Sequence, residues 1–322
     1  MTKQLKMIDL FSGAGGLTWG FVQAGFVPVA TIENDAAALK TYNYNFKTQV
    51  VAQDISDPAV LTNLEHWKGQ IDLVIGGFPC QGFSLAGKRC QKDSRNQLYR
   101  YTMAVIAKVQ PRIFVLENVP GILSYQESDG VLVTKKIQAL AQASGYALDW
   151  VVLNAADFGV AQKRRRVIFI GMAANEQHLV QQIINDLKKV QEPTQTVAMA
   201  IGDLANAVHE AVANHTITKH SSTMQARLLA IPAGQSLYPH YKDAFYKLAA
   251  DQVAPTVKEN HGGTHVHYHQ GRVCTPRELA RLQSFNDDFI FWGSKSQVLK
   301  QIGNAVPPRL AWIIAKTIKK YW

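Results

Sequence analysis

Up to residue 170 the chain alternates short apolar runs with longer stretches whose apolar residues recur every three or four positions. That alternation predicts βαβ units built around a parallel sheet. Strands are predicted at 7–10, 27–32, 49–52, 72–75 and 113–116, and helices at 36–46, 97–108 and 131–143. A later pair of runs, 148–153 and 166–170, fits an edge of the same sheet. Beyond residue 172 the pattern loosens, and between 194 and 272 scattered His, Gly and Pro residues replace it. Order returns at 276–284, a predicted helix capped by Thr275 with Pro276 in its first turn, and 309–319 reads as an amphipathic helix. The fold class expected is α/β, a mostly parallel sheet with helices on both faces plus a smaller loop-rich domain. The large domain is assigned to 1–185 with 299–322, the small one to 186–275, and a connecting segment to 276–298.

Polar or unusual residues sit just past the ends of the predicted strands: Phe11 and Ser12, Glu33, Asp54, Cys80 and Glu117. In an open parallel sheet the carboxyl ends of the strands share one edge, and ligands bind along it. These residues are therefore expected to meet in one cleft. The first strand runs into Phe11-Ser12-Gly13-Ala14-Gly15-Gly16, where glycines permit a sharp turn and a close backbone approach. A dinucleotide fingerprint wants a further glycine at position 18, and Thr18 stands there. A tight structural turn explains this stretch as well as a ligand site does. Glu33 favours the ligand, because a carboxylate after the second strand can accept both hydroxyls of a ribose. Asp54 could accept from an adenine amino group, with Ile55 against the ring. Together they suggest an adenosine-containing cofactor that lacks the pyrophosphate of NAD. The fourth strand leads through Gly76-Gly77-Phe78-Pro79 to Cys80. A solitary cysteine is more often buried and inert, but this bend would hold Cys80 at the cleft. Cys90 and Cys274 lack such a setting and read as structural. Glu117 alone would be an ordinary solvated or capping residue; beside Cys80 it becomes a candidate acid.

Lys and Arg outnumber Asp and Glu by 34 to 24, a formal net charge of +10. The excess suits a polyanionic partner, because each neutralised phosphate releases counterions; an unspecialised basic surface is the alternative. Three cysteines with no paired spacing suggest neither a disulfide framework nor a zinc site. No apolar run approaches the ~20 residues of a membrane helix, and no secretory signal is recognised. A reduced, cytoplasmic protein with no metal and no membrane partner is expected.

Taken together, the stretches 9–17, Glu33-Asn34-Asp35, Gln53-Asp54-Ile55, 76–84, Glu117-Asn118-Val119, 162–166, 277–285 and 301–308 resemble the DNA (cytosine-5)-methyltransferase family in its bacterial restriction–modification form. They stand in family order and span nearly the whole chain. The resemblance implies a Rossmann-like, S-adenosylmethionine-dependent methyltransferase sheet, with 186–275 as a DNA-recognition domain. It implies a monomer acting on double-stranded DNA, in functional pairing with a restriction endonuclease. It also implies that the Cys80 thiolate attacks carbon 6 of a flipped-out cytosine while Glu117 engages ring nitrogen 3. Arg164 and Arg166 would face the active site and DNA backbone, and strand alternation would set both on one face, opposite Arg165. Cofactor contacts are implied for Phe11, Ser12, Gly13, Gly15, Glu33, Asp54, Ile55, Pro79, Leu98, Asn304 and Val306. DNA contacts are implied for Gln81, Ser84, Lys88, Arg89, Arg95 and Lys163, with 84–98 reading as a polar, basic lid.

Two features depart from the family. Asn34 stands where many relatives carry a bulky residue against adenine, and the 192–271 region is short with only a faint match. Its histidines (His209, His215, His220, His240, His261, His265, His267 and His269) are expected to contact DNA or lie on the surface rather than bind metal. Ser221, Arg227, Lys258, Asn260 and Arg272 are generic candidates for phosphate or base contacts. The competing readings are a transfer RNA methyltransferase, a non-catalytic DNA-binding homologue and a nicotinamide oxidoreductase. The separate variable region disfavours the first, intact Cys80 with Glu117 the second, and Thr18 the third.

Overall fold

The structure is a computed structural model that describes residues 4–79, 97–206, 212–240, 244–259 and 265–322. Its first half runs β1 (Leu5–Leu10), α1 (Gly16–Gln23), β2 (Phe26–Ile32), α2 (Ala36–Phe46), β3 (Gln49–Ala52), α3 (Ala59–Asn63), β4 (Leu73–Gly76), α4 (Leu98–Val109), β5 (Ile113–Asn118), α5 (Val133–Ala143), β6 (Tyr146–Asn154), β7 (Arg165–Ala173) and α6 (Gln177–Lys188). The strands form one sheet in the order β3-β2-β1-β4-β5-β7-β6. Neighbours from β3 through β5 pair in parallel, whereas β7 runs antiparallel to both β5 and β6.

Central strands such as β4 are continuous apolar runs because both faces of the sheet are covered. Successive residues point to opposite faces: Met7 joins a core with Phe21, Ile170, Ile184 and Leu310, and Ile8 joins another with Ile106, Phe114 and Ile137. The first core is closed by α1, α6 and α11 (Pro308–Lys319), the second by α4 and α5. The boundary expected at residue 185 falls inside α6, because Leu187 is buried with Ile183 and Ile184 in the first core.

The less regular region holds α7 (Val197–Ile201), α8 (Ser222–Ala230) and the short parallel pair β8 (Tyr246–Lys247) and β9 (His265–Val266). It is followed by α9 (Pro276–Leu282) and α10 (Lys295–Asn304). Thr275 caps α9 as expected and forms a capping box with Glu278. Arg277 is fully buried, donating to the carbonyls of Ala213, Asn286 and Phe289, so α9 anchors the surrounding loops. A third core joins Val197, Leu248 and Ala254 of this region to Phe285, Phe289 and Ile302, and to Ala14 of the first turn. Among the described residues no helix is long and apolar enough to cross a membrane.

The chain end returns to the first βα turn through two glycines on α1. A Cβ on Gly20 would lie 2.5 Å from Ala311 Cβ, Pro308 O and Trp312 N, and one on Gly16 would collide with the Val306 carbonyl. Their lack of a side chain lets α11 cross α1 in direct contact. Gly20→Ala is therefore expected to cost about 1–3 kcal/mol by overpacking, read as a lower urea midpoint; an unchanged midpoint would show that the two helices can part freely.

Candidate active site

The order in which strands are added to the sheet switches sides between the parallel neighbours β1 and β4, and the ends of β1, β2, β4 and β5 open on one edge. At the end of β5 Glu117 lies next to the end of β4, as the expectation required. Gly76 and Gly77 make this approach possible. A Cβ on Gly76 would sit 2.7 Å from the Leu10 carbonyl, and one on Gly77 would sit 3.1 Å from Glu117 Oε2. Asn118, 1% exposed, donates from Nδ2 to the Phe78 carbonyl at 3.1 Å and accepts from the Val119 N–H at 2.9 Å. It thus holds the Phe78-Pro79 bend that leads to Cys80.

Because β7 is antiparallel, its first residues lie where the parallel strands end, opposite Asn118 and Glu117. Arg166 Nε meets Glu117 Oε1 at 2.6 Å, with both side chains 12% exposed. Arg166 Nη1 also donates to the Arg165 carbonyl at 2.8 Å. A guanidinium carries five N–H donors, and each of these contacts employs one.

At the other side of this switch, Phe11 adopts a left-handed φ of 56° and donates its N–H to Ile32 O at 2.8 Å. The Gly13 N–H donates to Glu33 Oε2 and the Asp35 N–H to Glu33 Oε1, each at 2.7 Å. These bonds fix the carboxylate at the mouth of the turn. Burial pushes the Glu33 carboxyl above its usual range, opposed by the donors from Asp35 and Gly13. Asp35 then caps α2 and pairs with Lys300 of α10 at 2.8 Å.

A model of the C-5 cytosine-specific DNA methylase family matches residues 5–320. The chain belongs to this family. It is 37% identical over 339 residues to the Type II methyltransferase M1.HphI of Haemophilus parahaemolyticus, covering 98% of this chain and 87% of that one. It is 33% identical to the Type II methyltransferase M.DdeI of Desulfomicrobium norvegicum, covering 99% and 89%. A solved putative DNA modification methyltransferase encoded within a prophage (E. coli) superimposes with a TM-score of 0.80 at 28% identity, over 98% and 99% of the two chains. The protein is thus a DNA (cytosine-5)-methyltransferase on the α/β sheet of such enzymes, and the family's methyl donor is S-adenosyl-L-methionine.

The turn after β1 fits that donor better than a dinucleotide. The N–H groups of Phe11, Ser12, Gly13 and Gly15 are engaged by Ile32 O, Glu33 or Ser12 O, so they do not form a nest of donors for a pyrophosphate. Each Glu33 oxygen keeps a second lone pair for a ribose hydroxyl. A Cβ on Gly13 would meet nothing within 4 Å, so the turn faces open space. Asp54 is exposed, its carboxyl held below the usual range by the backbone and hydroxyl of Ser56 on Oδ1. Ile55 is 4% exposed and packed in the second core. Burial leaves only a small part of Ile55 for a ring to touch. Ser12 Oγ accepts from Thr31, and Gly15 has a φ of 97° with no room for a side chain beside Tyr42 and Phe46. Pro79 and Leu98 are half-buried at the same edge, Asn304 is exposed, and Val306 is buried against Gly16. Residues 301–304 form the last turn of α10.

Several expectations change. Arg164 does not share the cleft-facing side of Arg166: it is 2% exposed, and its guanidinium donates to Val257 O and Gly303 O at 2.9 Å each. It precedes β7, so strand alternation does not govern its direction. Lys163 is exposed, as a DNA contact requires. Arg272 is buried in a two-pronged bond to Glu278, at 2.8 and 2.6 Å, and is not a surface contact. His215, His265 and His267 are buried rather than superficial; His215 bonds Thr275 Oγ1 at 2.9 Å and Leu204 O at 3.1 Å. Ser221 caps α8, while Arg227 and Lys258 are exposed. Cys274 is buried, as a structural cysteine should be, and burial pushes its thiol up. Cys80, Gln81, Ser84, Lys88, Arg89, Cys90, Arg95, His209, Asn260 and His261 lie outside the described residues.

Sequence reasoning missed Asn118, though a polar residue ending an otherwise apolar strand was a signal. It also missed the role of Thr18, whose hydroxyl donates to the buried Asp9 and lies 3.2 Å from the Tyr42 hydroxyl. Burial above all, with the charge of Glu33, pushes Asp9 from 3.8 up to about 8, against the Thr18 bond. The folded chain therefore keeps a proton here that the unfolded chain has released. Asp9's favourable contribution is complete below about pH 4 and is lost as the pH rises to about 8. Urea titrations across that window should show wild type losing stability relative to Asp9→Asn; parallel curves would mean that Asp9 ionises normally.

Proposed function

We propose that this protein methylates carbon 5 of one flipped-out cytosine within a short duplex DNA sequence, with Cys80 as a transient covalent nucleophile. The observation that carries the reading is the Glu117–Arg166 pair at 2.6 Å, set at the sheet edge beside the Gly77-Phe78-Pro79 bend that leads into Cys80. Carbon 5 of cytosine is too electron-poor to attack a methyl donor unaided. Addition of the Cys80 thiolate to carbon 6 forms a C–S bond and shifts the ring double-bond electrons toward carbon 5. Glu117 engages ring nitrogen 3 and stabilises the charge that arrives there. Arg166 orients the Glu117 carboxyl and directs a further N–H at the cytosine carbonyl oxygen. Bound S-adenosyl-L-methionine supplies the methyl as an electrophile on a positively charged sulfur. Loss of the carbon 5 proton and departure of the Cys80 sulfur from carbon 6 restore the aromatic ring and free thiolate.

Glu33 binds the ribose hydroxyls and Asp54 the adenine amino group, with Phe11, Ser12, Gly13, Gly15, Ile55, Pro79, Leu98, Asn304 and Val306 around the remainder. Residues 186–275 read the DNA, and Gln81, Ser84, Lys88, Arg89, Arg95 and Lys163 contact it. The target carbon is inaccessible within a stacked duplex, so the base must be extruded at a cost of a few kcal/mol. The Type II names of the relatives support a role as the modification partner of a restriction endonuclease; in this proposal the protein acts as a monomer on double-stranded DNA in the cytoplasm.

Bisulfite sequencing of DNA from a host expressing the chain should reveal one modified cytosine context. Cys80→Ser should abolish the modification and covalent trapping by 5-fluorocytosine duplex, while S-adenosyl-L-methionine still binds. Modification that survives in Cys80→Ser, or a wild type that modifies transfer RNA and not duplex DNA, would overturn the proposal.

A further inference from the structure

Arg164 is one of the largest fully buried side chains of the protein, and it carries a charge. Burial of a cation is costly unless hydrogen-bonding dipoles surround it. Here the two prongs of the guanidinium reach different parts of the chain: Nη1 bonds the carbonyl of Val257 and Nη2 that of Gly303, both at 2.9 Å. The backbone N–H of Arg164 donates to Asn154 Oδ1 at 3.1 Å, at the end of β6. Val257 belongs to the region proposed to read DNA, Gly303 to the α10 end beside the proposed cofactor contacts, and Arg164 lies two residues before Arg166.

The same seam is fixed at further points. Gln162 Oε1 accepts from the Val257 N–H at 3.0 Å, and Gln162 Nε2 donates to Gln283 Oε1 at 2.8 Å. Lys163 N donates to Ala254 O at 2.8 Å, Ala254 N to Ala161 O at 2.9 Å, and Thr256 Oγ1 to Lys163 O at 2.7 Å. Gly303 has no space for a Cβ because the Lys258–Glu259 backbone lies against it. Segment 254–259 therefore cannot shift relative to 161–166 without breaking several buried hydrogen bonds at once.

We propose that Arg164 is a positioning residue, whose bridge between Val257 and Gly303 holds the DNA-reading region in fixed register with the strand that carries Arg166. Acting through that register, it makes recognition of the surrounding sequence present one cytosine, and not a neighbour, to Glu117 and Arg166. The inference rests on the function proposed above and extends it to specificity. Lysine would not replace it: it keeps the charge but lacks the planar fork that reaches two carbonyls in fixed directions.

The test uses the full chain with two duplexes, one containing the sequence found by bisulfite sequencing and one with a single mismatch in it. For Arg164→Lys the ratio of kcat/KM between the two duplexes should fall about tenfold, since small misplacements at a reacting centre are strongly felt. Thr256→Val, which loosens the same seam without disturbing a buried charge, should lower the ratio several-fold, and it decides the matter if Arg164→Lys does not fold. A purely structural role would lower thermal stability or the active fraction and leave the ratio at its wild-type value; that result overturns the inference. A wild type that forms no 5-methylcytosine would overturn the proposed function and this inference with it.

Discussion

The antiparallel ladder between β5 and β7 is the constraint on which the candidate chemistry depends. Had β7 joined the sheet in parallel, its amino end would lie at the opposite edge, about a strand length from Glu117. Reversed, it sets Arg166 2.6 Å from Glu117, at the edge where β1, β2, β4 and β5 all end. The pair is only partly exposed, so its value lies less in stability than in orientation: partly buried ion pairs contribute little net free energy, but they hold their members in one geometry.

Close backbone approach is the second theme. Gly76 and Gly77 bring the end of β4 against β1 and Glu117, Gly16 and Gly20 admit the returning chain end, and Gly303 admits the segment at Lys258–Glu259. At Gly76, Gly16, Gly20 and Gly303 a methyl group would collide with a backbone atom, and at Gly77 it would press tightly on the Glu117 carboxylate. The glycines therefore work as spacers of near-zero thickness between elements that must touch. The buried polar groups complement them: Asn118 ties the β4 bend to β5, and Arg164 with Gln162 and Gln283 ties the less regular region to the sheet.

Much of this was legible beforehand. Apolar periodicity located the seven strands of the sheet, and α2, α4, α5 and α11 beside it, to within a few residues, because burial imposes regular apolar runs; α1, α3 and α6 were given no range. Thr275 was recognisable as a cap because capping is local chemistry. Polar residues past the strand ends were recognisable as a group because a parallel sheet gathers those ends. Arg164 was not legible: two arginines two residues apart look equivalent when a strand is assumed, yet one precedes the strand and turns inward. Arg272, His215 and His267 were misjudged for a related reason. Their burial is set by chain segments tens or hundreds of residues away, and no local pattern encodes that.

The amino-acid sequence alone determined the α/β class, the sheet edge at which the candidate residues gather and the family, since each rests on local periodicity or on short motifs of fixed order. The tertiary structure alone decided which arginine meets Glu117, which carbonyls the other one holds, and which polar residues are buried. Those facts depend on strand order and direction, which arise from packing summed over the whole chain and leave no mark on any single stretch of it.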